Sequence, residues 1–209
     1  MKTILSCALL CLLLNAVKAQ SDNGTLPAEF QKKLNEANMS FVKPDGVTEI
    51  PVVKTNKINY DYALKLNDRN VEIRYAIRPL SKEVFEAYEN RQKKDGDTVL
   101  NPNKIHRLLS PMMYSAISGG KVESKAVLIQ YFKPETVKRS AGADVGTMSS
   151  GPLGSDWAQA YNFGFYVMLH KDNLADAYIY YLFENEKQMV ETFKKITSNN
   201  ALLYALKFK

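Results

Sequence analysis

Apolar and polar positions alternate in several stretches of this chain, one of them from Tyr161 to Leu169. Tyr161, Phe163, Phe165, Val167 and Leu169 fall on one side, the period-2 pattern of a strand. Lys171-Asp172-Asn173 follows, and Asp and Asn side chains favour turns by bonding nearby backbone. Tyr178 to Phe183 is apolar or aromatic on both faces, which predicts a strand covered on both sides. Together these segments predict a hairpin at the centre of a sheet, with its large rings packed as core. A second hairpin reads from Ile58 to Leu66 and from Val71 to Ile77, across Asn67-Asp68-Arg69-Asn70. Here Tyr60, Tyr62, Leu64, Ile73 and Tyr75 predict a dry face, and Glu72, Arg74 and Arg78 a solvent-facing one.

Helical spacing appears between and around these hairpins. Leu26, Phe30 and Leu34 recur every four residues, predicting an amphipathic helix to about Asn38. Pro44-Asp45-Gly46 predicts a turn. Ser81 is placed to cap a helix carrying Val84, Phe85 and Tyr88, with Glu83 near its positive end. The charged run from Arg91 to Asp97 reads as a loop. Asn101-Pro102 then opens a helix whose Ile105, Leu108, Leu109 and Met112 trace one face. Pro111 predicts a kink or restart in it, and Gly119-Gly120 its end. Val127 to Phe132 reads as a buried strand, with a helix as the alternative because no alternation decides. Pro134 to Arg139 and the stretch with Met189, Val190, Phe193 and Ile196 predict helices, and Ala201 to Phe208 a last strand. This order of hairpins and helices predicts an α+β fold, a mainly antiparallel sheet with flanking helices.

Glycine and serine dominate Ala141 to Ser155, which reads as a loop leading to Asp156 and to Trp157, the single tryptophan. Loops on a rigid scaffold carry function disproportionately. Asp144, Ser149, Asp156 and Trp157 are therefore the candidate binding residues.

Residues 1–19 have the pattern of an export signal: Lys2, an apolar run from Ile4 to Leu14, and Ala-Val-Lys-Ala before Gln20. The apolar run is too short to span a bilayer comfortably. The expected organisation is a signal peptide at 1–19, an N-terminal helical segment at 20–40 and a single α+β domain at 41–209, in a protein that is secreted or periplasmic, with no transmembrane span after cleavage. Both cysteines, Cys7 and Cys11, fall inside the signal, so the mature chain has no thiol for a disulfide, a metal or a nucleophile. Lacking disulfides, an exported domain of this kind fits a bacterial envelope better than a eukaryotic secreted protein. Removing Lys2 and Lys18 leaves 26 of 28 basic residues against 22 acidic ones, a net charge of +4. The basic pairs are dispersed, so a nucleic-acid site is not expected.

Little catalytic chemistry is visible. His106 and His170 are the neutral-pH proton carriers, and with no cysteine and no close histidine pair in sequence, no metal and no cofactor are expected. No serine stands in a Gly-x-Ser-x-Gly elbow, and the glycines at 142, 146 and 151 lack the Lys-Ser/Thr ending of a phosphate loop. No catalytic residue is assigned. The leading reading is a non-catalytic binding or accessory protein, with an unknown protein or small ligand as partner. The rival is an enzyme using carboxylate and tyrosine chemistry at Asp144, Asp156 and Tyr161. A third reading is a carrier of an apolar ligand, held among the aromatic hairpin residues.

Pro134-Glu135-Thr136-Val137 running into Gly142-Ala143-Asp144, together with the tyrosine-rich hairpin followed by a helix and a terminal strand, resembles the Mog1/PsbP-like α/β sandwich family over residues 41–208. The resemblance implies an antiparallel sheet flanked by helices and an accessory or binding role. It carries no functional residue with it.

Overall fold

The computed structural model describes residues 25–55, 58–91 and 100–209. The expected signal peptide at 1–19 and, but for Arg91 itself, the stretch from Arg91 to Asp97 expected to be a loop lie outside the described residues. The fold is α+β. Helix α1 (Ala28–Glu36) leads into the short strands β1 (Met39–Phe41) and β2 (Val47–Glu49), then the hairpin β3 (Tyr62–Leu66) and β4 (Val71–Pro79). Helices α2 (Lys82–Asn90) and α3 (His106–Ile117) precede β5 (Gln130–Tyr131), α4 (Pro134–Ala141), β6 (Val145–Pro152) and the single turn α5 (Ser155–Ala158). The long hairpin β7 (Phe163–Lys171) and β8 (Ala175–Phe183) follows, then α6 (Glu186–Thr197), α7 (Asn200–Leu203) and β9 (Leu206–Phe208).

Seven of the described strands form one antiparallel sheet in the order β2-β3-β4-β8-β7-β6-β5, so β8 is its middle strand. The predicted central hairpin thus sits where its two-sided apolar character requires. Strands β1 and β9 form a separate antiparallel ribbon.

Alternation divides the sheet's residues between two faces. Tyr75, Phe165, Ile179, Tyr181 and Phe183 belong to one core, which α1, α4, α6, α7 and the β1–β9 ribbon cover. Phe165 stacks on Tyr181 at 4.4 Å and meets Phe193 of α6 edge-on at 5.3 Å. These rings fill the space that a carrier reading would leave for its ligand. Phe30 of α1 stacks on Tyr62 at 4.9 Å, which ties the N-terminal helical segment to the sheet.

The opposite face belongs to a second core, containing Tyr114 and Ile117 of α3, Trp157 and Ala158 of α5, and Tyr166, Met168, Tyr178, Tyr180 and Leu182 of the sheet. Helix α3 is brought close to the end of β6 by two glycines. A Cβ on Gly154 would lie 2.8 Å from the backbone nitrogen of Gly119, so only a hydrogen there lets the two backbones cross.

The structure corrects several sequence expectations. Strand β4 is buried from Val71 to Ile77 on both faces, so Glu72 and Arg74 are interior and not solvent-facing. Residues 145–152 form a strand, not a loop. Val127 to Phe132 yields only the two-residue edge strand β5, and Leu128 is 88% exposed. Helix α3 runs through Pro111 without a break. Its buried face is His106, Ser110, Tyr114 and Ile117, while Leu108 and Met112 of the expected apolar face point to solvent. The last segment begins as the turn α7, and only Leu206 to Phe208 is strand.

Candidate functional site

Helix α3 places a polar stripe against a polar part of the sheet. Residues 106, 110 and 114 recur at four-residue spacing and share one helix face. Across the sheet, Arg74 pairs with Tyr180, Tyr180 with Tyr166, and Tyr166 with Ser149, one polar row over four strands. Tyr114 lies over this row, its ring 5.7 Å from that of Tyr166. The Tyr166 hydroxyl hydrogen-bonds the Ser110 hydroxyl and donates to the Ser110 carbonyl at 2.9 Å. Burial pushes the Tyr166 phenol up, though hydrogen bonding with Ser110 and Ser149 opposes it.

At one end of the row Arg74 is wholly buried. Its Nε donates to Glu72 Oε1 at 2.6 Å and its Nη1 to the Trp157 carbonyl at 2.6 Å. The guanidinium carbon sits 4.6 Å from the ring centroids of both Tyr60 and Trp157, a doubly stacked cation.

A second cluster lies under the start of α3. Asn101 caps the 3₁₀ turn ahead of this helix by accepting from the Asn103 amide at 2.9 Å. Asn103 in turn accepts from the Asn173 amide at 2.8 Å and donates to Asn173 Oδ1 at 3.0 Å, pinning the helix start to the β7–β8 turn. That brings the His106 ring to 4.0 Å from the His170 ring. His170 Nδ1 is 2.7 Å from Asp176 Oδ1, and its Nε2 is 2.9 Å from Asp172 Oδ1. Burial would lower the His170 pKa, but hydrogen bonds with Asp176 and then Asp172 outweigh it and hold the pKa raised. His106 is driven down to about 4, first by burial and then by the neighbouring His170 charge. The two rings are tilted by 30° to one another, with His106 favouring the neutral form and His170 shifted toward the charged one. The expectation of no close histidine pair holds for the sequence but not for the structure.

The predicted site residues are dispersed. Asp144 is exposed, and its Oδ2 accepts from the Asp172 amide at 3.1 Å, so it touches the histidine cluster from outside. Ser149 is buried in the polar row. Trp157 is 1% exposed and its Nε1 donates to the Ile58 carbonyl at 2.8 Å, so it is core and cannot meet a partner at the surface. Asp156 is exposed on α5. Asp144 precedes β6 and Asp156 follows it, and a strand of eight residues spans roughly 25 Å, which separates the two carboxylates too far for joint acid–base work. Tyr161 is buried, donating to Asn70 Oδ1 at 3.2 Å. The histidine cluster was missed because its members come from separate elements. The polar spacing of His106, Ser110 and Tyr114 was its one visible trace.

Between β6 and the segment ahead of β5 lies a groove of ≈ 460 Å³, lined by Tyr114, Val122, Ala126 to Gln130 and Met148 to Ser150. Strand β5 pairs with β6 only at Met148 and Thr147, so the groove follows the part of β6 that β5 leaves uncovered.

No family model matches the chain, and no curated protein matches it. Among solved structures it is similar to the solution structure of cyanobacterial PsbP (CyanoP) from Synechocystis sp. PCC 6803, at 9% identity and a TM-score of 0.45, over 83% of this chain and 88% of that one.

Proposed function

We propose that this chain is an exported, non-catalytic binding protein, and that its ligand or partner engages the groove beside β6. The observation that supports this is a separation of roles. The groove opens to solvent but is lined mostly by aliphatic side chains and two serines, with Tyr114 its single titratable group. The titratable cluster of His106, His170 and Asp176 is buried, where a substrate does not reach it. Leu128, 88% exposed at the groove wall, adds to the aliphatic lining that a ligand would meet. No helix of the described residues is long and apolar enough to cross a membrane. The pattern of residues 1–19 supports export.

Capture from the envelope fraction of the source cells, with tagged wild-type protein beside Leu128→Asp, tests this reading. A protein or small ligand held by the wild type should be lost in the variant, while the melting temperature stays the same. Equal capture by both forms would place binding elsewhere.

A further inference from the structure

We propose that His106, His170 and Asp176 form a binding site for one divalent transition-metal ion of the zinc class. This site is separate from the groove, and neither depends on the other. One donor atom from each of the three residues lies within 4.8 Å of the others. Ligands about 2.0–2.1 Å from a zinc ion stand roughly 3.4 Å apart, so side-chain shifts of an ångström or so close the set around a metal. Two imidazoles and one carboxylate suit zinc, cobalt and nickel better than calcium or magnesium, which favour oxygen.

A second observation points the same way. His106 is 3% exposed, yet neither of its ring nitrogens has a hydrogen-bond partner among the described residues, and Asp176 Oδ2 also lacks one. Buried polar groups without partners are costly and rare. Such atoms also occur elsewhere, on Arg74, Tyr75, Tyr114, Thr147, Ser149, Tyr178 and Tyr180, but only those of His106 and Asp176 belong to residues whose donor atoms converge with a third metal-ligating side chain, His170, among the described residues. A metal ion would satisfy one His106 nitrogen and the Asp176 carboxylate together.

The roles of the atoms follow from the geometry. Asp176 sits against Nδ1 of His170 and Asp172 against Nε2. The metal takes Nδ1 and the Asp176 carboxylate, displacing the proton that they share, which leaves to solvent. Nε2–H continues to donate to Asp172, the outer carboxylate that orients a metal-bound histidine. Asp144 supports that outer shell through the Asp172 amide. Two neutral imidazoles and two carboxylates balance the charge of a divalent ion. Asp172 is 59% exposed, so entry is from the β7–β8 turn.

The test uses the full chain, freed of metal with EDTA and titrated with Zn²⁺ by calorimetry and with Co²⁺ by visible absorption. One ion per chain should bind, with a rise in melting temperature and with the Co²⁺ absorption of a site of low coordination number. His106→Leu removes a ligand and also removes two unpartnered nitrogens, so it should weaken Zn²⁺ binding more than tenfold while the metal-free protein melts no lower than wild type. Asp172→Asn, at an exposed position, should weaken binding about 10–100-fold with its fold intact. Wild-type protein that binds neither ion would overturn the proposal. So would a folded His106→Leu protein that binds Zn²⁺ as tightly as wild type.

Discussion

The guanidinium of Arg74 is held by Trp157 twice, stacked 4.6 Å from its ring and bonded to its carbonyl at 2.6 Å. Glu72 completes the arrangement, so the buried cation has a charge partner, a carbonyl and two aromatic faces. Removing one partner of a buried ion pair strands the other, at a cost of about 3–5 kcal/mol. Arg74→Ala should therefore lower the urea midpoint by an amount equivalent to that cost. Lysine should not restore it, because a point charge cannot reach Glu72 and the Trp157 carbonyl at once. Replacing both charges with Arg74→Met and Glu72→Leu should recover most of the stability. A single Arg74→Ala change that leaves the midpoint in place would show that the pair contributes little.

Phe165 anchors the other core. With its ring against Tyr181, Phe183 and Phe193, Phe165→Ala should cost about 3–5 kcal/mol, a large share of the 5–15 kcal/mol typical of a whole protein. Chemical denaturation measures this directly. Because Phe165 lies on the face away from α3, folded variant protein should keep any ligand of the groove; loss of that ligand at an unchanged midpoint would make the ring part of a site.

Asp68, in the β3–β4 turn, accepts from Lys195 of α6 at 2.6 Å and from Arg69 at 2.9 Å. Hydrogen bonds from Arg69 and then Lys195 hold its carboxyl below the usual carboxylate range. A depressed folded-state pKa gives stability that is present above the unfolded value of about 3.9 and is lost as pH falls through the folded one. The group is half exposed, so screening limits the contribution to under about 1 kcal/mol. Asp68→Asn should melt slightly below wild type at pH 7, and the gap should shrink steadily below pH 4. A gap that widens on acidification would contradict the assignment.

Legibility in the sequence followed the strength of the local signal. The two hairpins were readable because alternation and Asn/Asp-rich turns agree there. Strand β6 was not, because Gly146, Ser149, Ser150 and Gly151 carry none of the bulk that marks a strand. Packing explains one of them: a Cβ on Gly146 would lie 2.7 Å from Val137 of α4 and 2.9 Å from Phe132. Helix α3 misled for the opposite reason. Ile105, Leu108, Leu109 and Met112 do trace one face, but the sheet beneath the helix presents tyrosines, serines and a histidine, so the mixed face of His106, Ser110, Tyr114 and Ile117 went inward. Nothing short of the pairing between Asn103 and Asn173 would have announced that His106 meets His170.

The β1–β9 ribbon bears on when the chain can fold. Ser40 and Lys207, paired across it, are 167 residues apart, and Leu206 and Phe208 enter the same core as Phe30 and Met39. A chain made from its N-terminus therefore carries β1 without its partner strand through nearly all of its synthesis. Contacts so distant in sequence form late and slowly. If the chain is exported as proposed, that delay would help it, since the ribbon cannot close before the last strand emerges.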